Sequence, residues 1–197
     1  YSGSTSFGFF TKAALAAQAG ITGETIWMPE ENDLKGKTLE NLPEFAPLFP
    51  EDSNFASCSG MALPAKAMRM FDRGLYVPGC GPEGLGIILG EKDVDPDEWF
   101  FKAHFHGDPV CPGSLGLESF IQLIKYAALK IWPELEGKAR FSDFLENEHI
   151  WTYRGQILGH CKLVKIHGYI TKIENDPVPL IKANGYIFVD GMCIYKM

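Results

Sequence analysis

Between Ser114 and Trp132 the chain reads SLGLESFIQLIKYAALKIW, a segment with helical periodicity that is apolar around nearly its whole circumference. Such a helix does not lie on a surface with one face in water; other structure must wrap it. Pro133 ends it. The wrapping material follows. HIWTYRGQIL (149–158), KLVKIHGYITKIE (162–174) and PLIKANGYIFVDGMCIYKM (179–197) read as strand sequences, the second alternating well. Asn175-Asp176-Pro177 and Asp190-Gly191 supply turns between and within them. One buried helix followed by a run of long strands predicts an α+β fold, with a long central helix wrapped by an antiparallel β-sheet.

Upstream of the helix the pattern is dense from Leu63-Pro64 onward. AKAMRMFDR (65–73) leads into turn-formers through Pro82, LGIILGEKDV (85–94) reads as a strand, and EWFFKAHF (98–105) as another short apolar element. Before residue 61 the character changes. YSGSTSFGFF (1–10) has strand character, and TKAALAAQA (11–19) reads as a short helix stopped by Gly20. The run to Gly60, with Pro29, Pro43, Pro47 and Pro50, reads as an extended linker that drapes over a neighbour. The expected division is therefore 1–60 as a connector or an N-terminal extension of the same domain, and 61–197 as the folded domain.

With 197 residues, 46% apolar and 22% charged, the chain can build one sizeable core and is too apolar for disorder. No apolar run approaches the ~20 residues of a membrane helix. The net charge of −7, from 18 basic and 25 acidic side chains, lacks the basic footprint of a nucleic-acid binder. Basic residues nevertheless gather toward the end, where Arg154, Lys162, Lys165, Lys172 and Lys182 could form a local positive face. The five cysteines are odd in number and show no CxxC spacing, so free thiols in a reducing cytoplasm are expected rather than disulfides or structural zinc. The first residue is Tyr1 rather than Met, which suggests a piece of something longer.

Chemistry concentrates in HFHGDPVCPGSLGLES (104–119). A strand or loop should deliver His104, and Gly107-Asp108-Pro109 with Pro112-Gly113 should then turn the chain into the helix. Gly113 and Ser114 would present free N–H groups at the helix N-terminus, able to polarise a carbonyl oxygen. Glu118 is the only charged residue between Asp108 and Lys125. Two readings of it stand side by side. A buried carboxyl has a raised pKa suited to proton donation, whereas a glutamate early in a helix can be a dipole-favoured side chain hydrogen-bonded to Gln122. His104 and His106 would share a face if the strand continued, with Asp108 and Cys111 as further metal ligands. Spacing favours no metal site. Cys111 near a histidine also invites a thiol-nucleophile reading, but no third residue orients the pair.

The segment HFHGDPVCPGSLGLES resembles the active-site stretch of the hot-dog-fold β-hydroxyacyl-acyl-carrier-protein dehydratases, especially the β-hydroxydecanoyl dehydratase/isomerase branch. LPAKAMRMFDR (63–73) and DPDEWFFKAHF (95–105) resemble flanking segments of that family. The wording FKAHFHGDPVCPGSLGLESF is most similar to dehydratase domains of polyunsaturated fatty acid synthases. The likeness covers about residues 61–197, and YSGSTSFGFF resembles the tail of a preceding unit of the same kind.

The resemblance implies a 3-hydroxyacyl-acyl-carrier-protein dehydratase domain that yields 2-enoyl thioesters. His104 would be the catalytic base, Glu118 the catalytic acid and Gly113 the oxyanion donor. Glu118 departs from the isomerase branch, which carries Asp there, so dehydration is implied more firmly than isomerisation. No cofactor is implied beyond the phosphopantetheine arm of an acyl carrier protein. The implied partners are that carrier and a second hot-dog unit, either a homodimer or a double hot-dog, with His104 and a Glu118 equivalent meeting across the pair. Arg154, Lys162 and Lys165 are the candidate carrier-docking residues. A catalytically silent acyl-holding domain and a hot-dog thioesterase are the competing readings.

Overall fold

The structure is a computed structural model that describes residues 11–42, 61–135, 138–142 and 148–197. Its centre is a helix, α4 (Gly113–Ile131), preceded in the chain by three short ones: α1 (Lys12–Ala16), α2 (Glu31–Leu34) and α3 (Trp99–Ala103). The strands are β1 (Glu40–Asn41), β2 (Arg73–Val77), β3 (Ile87–Asp93), β4 (Thr152–Tyr153), β5 (Leu163–Glu174), β6 (Leu180–Val189) and β7 (Met192–Lys196). They form one antiparallel sheet in the order β1-β2-β3-β5-β6-β7-β4.

Helix α4 starts and ends one residue earlier than the apolar pattern suggests, and only Ser114 and Lys130 along it are exposed. Its buried residues Leu115, Phe120, Leu123 and Tyr126 pack on Ile88, Ile166, Ile170, Ile187 and Ile194 from the sheet. The close seat depends on missing side chains. Gly168 of β5 pairs with Gly185 of β6, and a Cβ at Gly185 would stand 2.2 Å from the Phe120 ring. The helix is thus wrapped, as its all-round apolarity requires.

Strand β6 breaks the alternation of a half-buried strand, because Gly185 through Val189 are all buried. Inward Ile187 and Val189 join the main core, while outward Tyr186 and Phe188 meet Ile21, Ile26 and Trp27. Continuous burial marks a strand covered on both faces. The covering segment is pinned by the Ile21 N–H, which donates to the Cys193 carbonyl at 2.8 Å. Trp27 lies 4.9 Å from the Tyr169 ring, and Glu24 pairs with Lys196. At Gly20, φ is +67° and a Cβ would fall 2.2 Å from the Cys193 carbonyl oxygen, so glycine alone fits without strain. The described part of the expected linker therefore drapes over this domain's own sheet, and its β1 extends that sheet beside β2.

Three local expectations need correction. The short apolar element EWFFKAHF contains the helix α3, and His104 is delivered as the C-cap of that helix rather than by a strand or loop. Of HIWTYRGQIL only Thr152–Tyr153 joins the ladder. Beyond it Arg154 N–H donates to Ile194 and Ile157 gives its carbonyl to Cys111, so the segment bridges strand β7 to the loop before α4. The short helix at TKAALAAQA closes by Ala16, with Thr11 capping its start through Oγ1. YSGSTSFGFF and residues 43–60 lie outside the described residues. Among the described residues no helix is long and apolar enough to cross a membrane.

Candidate active site

The loop from His104 to Pro112 is folded by its own backbone. Phe105 and Asp108 exchange N–H···O bonds at 3.0 and 3.1 Å, Gly107 supplies φ +77° in the turn, and Val110 N–H returns to the His104 carbonyl at 2.8 Å. The chain reverses immediately after His104, so His104 and His106 do not share a strand face. That removes the premise of a paired-histidine metal site. His106 and Asp108 are exposed, whereas His104 is half-buried.

The His104 ring lies 3.8 Å from the Phe105 ring and is oriented by a hydrogen bond, its Nδ1 3.0 Å from the Val110 carbonyl oxygen. A carbonyl only accepts, so Nδ1 carries the hydrogen and the neutral ring has its lone pair at Nε2. This is the tautomer a proton-abstracting base needs. Cys111, by contrast, is buried, and burial pushes its thiol up to about 12, which is the wrong direction for a nucleophile.

Helix α4 begins behind Pro112, which offers no side-chain cap. Leu115 N–H is bonded to the Pro112 carbonyl at 2.9 Å, and among the described residues the N–H groups of Gly113 and Ser114 are left as the free donors of the first turn. The Gly113 carbonyl accepts from the Tyr195 hydroxyl at 2.8 Å, and Tyr195 stacks on Tyr153 at 4.5 Å. Side chains at Gly113 and Gly116 would intrude on these rings, since a Cβ at Gly116 would lie 2.4 Å from Tyr195. Both tyrosine hydroxyls are pushed up mainly by burial, Tyr153 to about 12. Sequence reading did not single out Tyr195; the Gly-x-x-Gly pattern opening the helix was the available signal of a close neighbour.

Glu118 is half-buried one turn before Gln122, which is fully buried. Gln122 makes three bonds: Oε1 accepts from Met70 N–H at 2.9 Å, and Nε2 donates to the Met68 carbonyl at 2.8 Å and to Glu118 Oε1 at 2.9 Å. The two backbone groups fix the amide orientation, because an N–H must face Oε1 and a carbonyl must face Nε2. Glu118 Oε1 is therefore occupied as an acceptor, and a proton on this carboxyl sits at Oε2. The hydrogen bond to Gln122 expected of a merely structural Glu118 is present, and it leaves the second oxygen available for chemistry. Among the described residues no hydrogen bond joins His104 to Glu118.

Lys162 and Lys165 are separated from Lys172 and Lys182 along the β5–β6 ladder. Lys162 and Lys165 lie at the start of β5, Lys165 in a 3.5 Å pair with Glu91. Lys172 and Lys182 face each other across the far half of the β5–β6 ladder, and Lys172 pairs with Glu174. Arg154 is exposed and follows Tyr153, whose ring a Cβ at Gly113 would meet at 3.2 Å.

The FabA-like domain family matches residues 63–197. A polyunsaturated fatty acid synthase polypeptide from Thraustochytrium sp. is 33% identical over 207 aligned residues. The alignment takes in all of this chain but 14% of that protein's length.

Proposed function

The chain belongs to the FabA-like domain family, and on that premise we propose that it is a dehydratase domain of a fatty-acid or polyunsaturated-fatty-acid synthase, converting 3-hydroxyacyl thioesters to 2-enoyl thioesters. The observation that carries the reading is the state of the three polar groups around the start of α4. Among the described residues His104 keeps a bare Nε2, Gly113 and Ser114 keep unpaired N–H donors, and Glu118 keeps a free Oε2.

The reaction uses each in turn. The substrate's thioester oxygen is held by the Gly113 N–H, which lowers the cost of developing negative charge on that oxygen. His104 Nε2 takes the proton from the α-carbon, and the electron pair of the broken C–H bond enters the enolate. As the α,β double bond forms, the C–O bond at the β-carbon breaks and the hydroxyl leaves as water with the proton from Glu118 Oε2. The imidazolium and the carboxylate are then reset by return of one proton.

A second unit completes the site in this reading. The interior gap beneath the loop, bounded by Phe100, Phe101, Cys111, Leu115 and Ser119, has a volume of about 30 Å³. That is room for one or two waters and not for an acyl chain. Exposed Phe105, Ile150 and Trp151 offer apolar surface to a neighbour. His104 of one unit then works with the Glu118 counterpart of the other. The acyl group arrives on the phosphopantetheine arm of a carrier protein, with Arg154, Lys162 and Lys165 as the cations that guide it, and no metal takes part.

The test is substitution at the two proton-transfer residues. His104→Ala and Glu118→Gln should each reduce dehydration by at least about 100-fold, the usual contribution of a general acid or base, with unfolding midpoints near wild type. Wild-type turnover in either variant would remove that residue from the mechanism. A variant that loses only stability would return Glu118 to a capping role.

A further inference from the structure

Helix α3 and the Glu118 clamp belong to different helices, yet one short segment touches both. The Trp99 indole N–H, at the start of α3, donates to the Ala67 carbonyl at 2.7 Å. The next residue, Met68, gives its carbonyl to Gln122 Nε2, and Met70 gives its N–H to Gln122 Oε1. Gln122 in turn holds Glu118. Residues 67–70 thus form a bridge whose one end is fastened to the helix that carries His104 and whose other end orients the acid.

We infer that Trp99 is a positioning residue, fixing the 67–70 segment so that Gln122 presents Glu118 Oε2 in a constant direction; the inference rests on the dehydratase reading. Two features favour this over simple packing. Trp99 is 44% exposed, so its ring contributes less burial than its neighbours Phe100 and Phe101, which are 3% and 6% exposed. Its indole N–H nevertheless finds a backbone carbonyl one residue before the clamp, where no ladder fixes the chain. The 67–70 run has only the single turn of 3₁₀ helix at Lys66–Met68, and the chain enters strand β2 only at Arg73. A second tie holds the same end of α3: Lys92 Nζ bonds Glu98 Oε1 at 2.7 Å, immediately before the helix. With α3 anchored to β3 by that pair, the Trp99 bond ties the 67–70 segment to a fixed point.

Trp99→Phe is the discriminating change, because it keeps an aromatic ring beside Phe100 while deleting the N–H donor, and the ring area it also removes belongs to a side chain already 44% exposed. Loss of one net hydrogen bond corresponds to about a 2- to 10-fold effect on a population or rate. The wild type and variant are compared for turnover of a 3-hydroxyacyl thioester and for amide hydrogen exchange at Met70 and, as a reference, Ile187. The expected result is a kcat lowered about 2- to 10-fold with KM nearly constant, and faster exchange at Met70 with Ile187 unchanged. Unchanged exchange at Met70, equal acceleration at Ile187, or an unchanged kcat would overturn the inference. A wild-type protein that forms no enoyl product would instead overturn the dehydratase reading, and the two failures are told apart by that control.

Discussion

His104 and Glu118 are each held through one polar atom while the other is left open: Nδ1 on Val110 with Nε2 bare, Oε1 on Gln122 with Oε2 bare. The same rule exposes a residue with no such partner. Among the described residues His167 Nδ1 is buried without a hydrogen bond, and burial, assisted by Lys165 and opposed by Glu91, pushes the ring down from 6.5 to about 4. A histidine whose folded pKa lies below its unfolded value stays neutral in the fold while the unfolded chain takes up a proton. Stability is then fully retained above about pH 6.5 and declines toward pH 4, by up to about 3 kcal/mol at 1.36 kcal/mol per pKa unit. Urea unfolding between pH 7 and pH 4 should show this loss in the wild type and much less of it in His167→Leu. Parallel curves for the two proteins would mean that His167 is not the group responsible.

Among the elements, helix α4 and strand β5 were legible because their periodicity is long and unbroken, so tertiary context had nothing to overrule. Shorter elements were not. EWFFKAHF holds too few residues to display a period, and its conformation is decided by contacts that sequence spacing does not reveal, the Lys92–Glu98 pair and the Trp99 indole bond. HIWTYRGQIL has strand composition, but Gly155 sits where a Cβ would meet Ile194 at 2.2 Å, and the chain turns to bridge rather than to pair. At the site, His104, Gly113 and Glu118 could be picked out from a contiguous motif, whereas the roles of Tyr195 and Trp99 depend on residues dozens of positions away. The glycines opposite Phe120 were equally silent in sequence. Gly185→Val should destabilise the protein by about 1–3 kcal/mol or more, since its new Cβ would collide with both Phe120 and the His167 carbonyl oxygen. Adding Phe120→Leu should recover part of the lost urea midpoint. No recovery would place the strain in the strand backbone instead of the helix contact.

Over the whole molecule, the family match begins at residue 63, yet Ile21, Ile26 and Trp27 are packed on the outer face of the sheet against Tyr186, Phe188 and Cys193. Removing residues 1–28 should uncover Tyr186, Phe188 and Cys193 and lower stability by about 2–5 kcal/mol, the range for losing large buried apolar groups. An unaltered urea midpoint would make the segment a passive tether. The strap bears on chemistry too, because β7 carries Cys193 under it on the outer face and Tyr195 against the start of α4 on the inner face. The proposed activity is a single reaction, so the most direct measurement is the identity of the product formed from a 3-hydroxyacyl thioester. The prediction is a 2-enoyl thioester with loss of one water, formed by the wild type and abolished in His104→Ala. Release of the free 3-hydroxy acid, or recovery of the substrate unchanged, would contradict it.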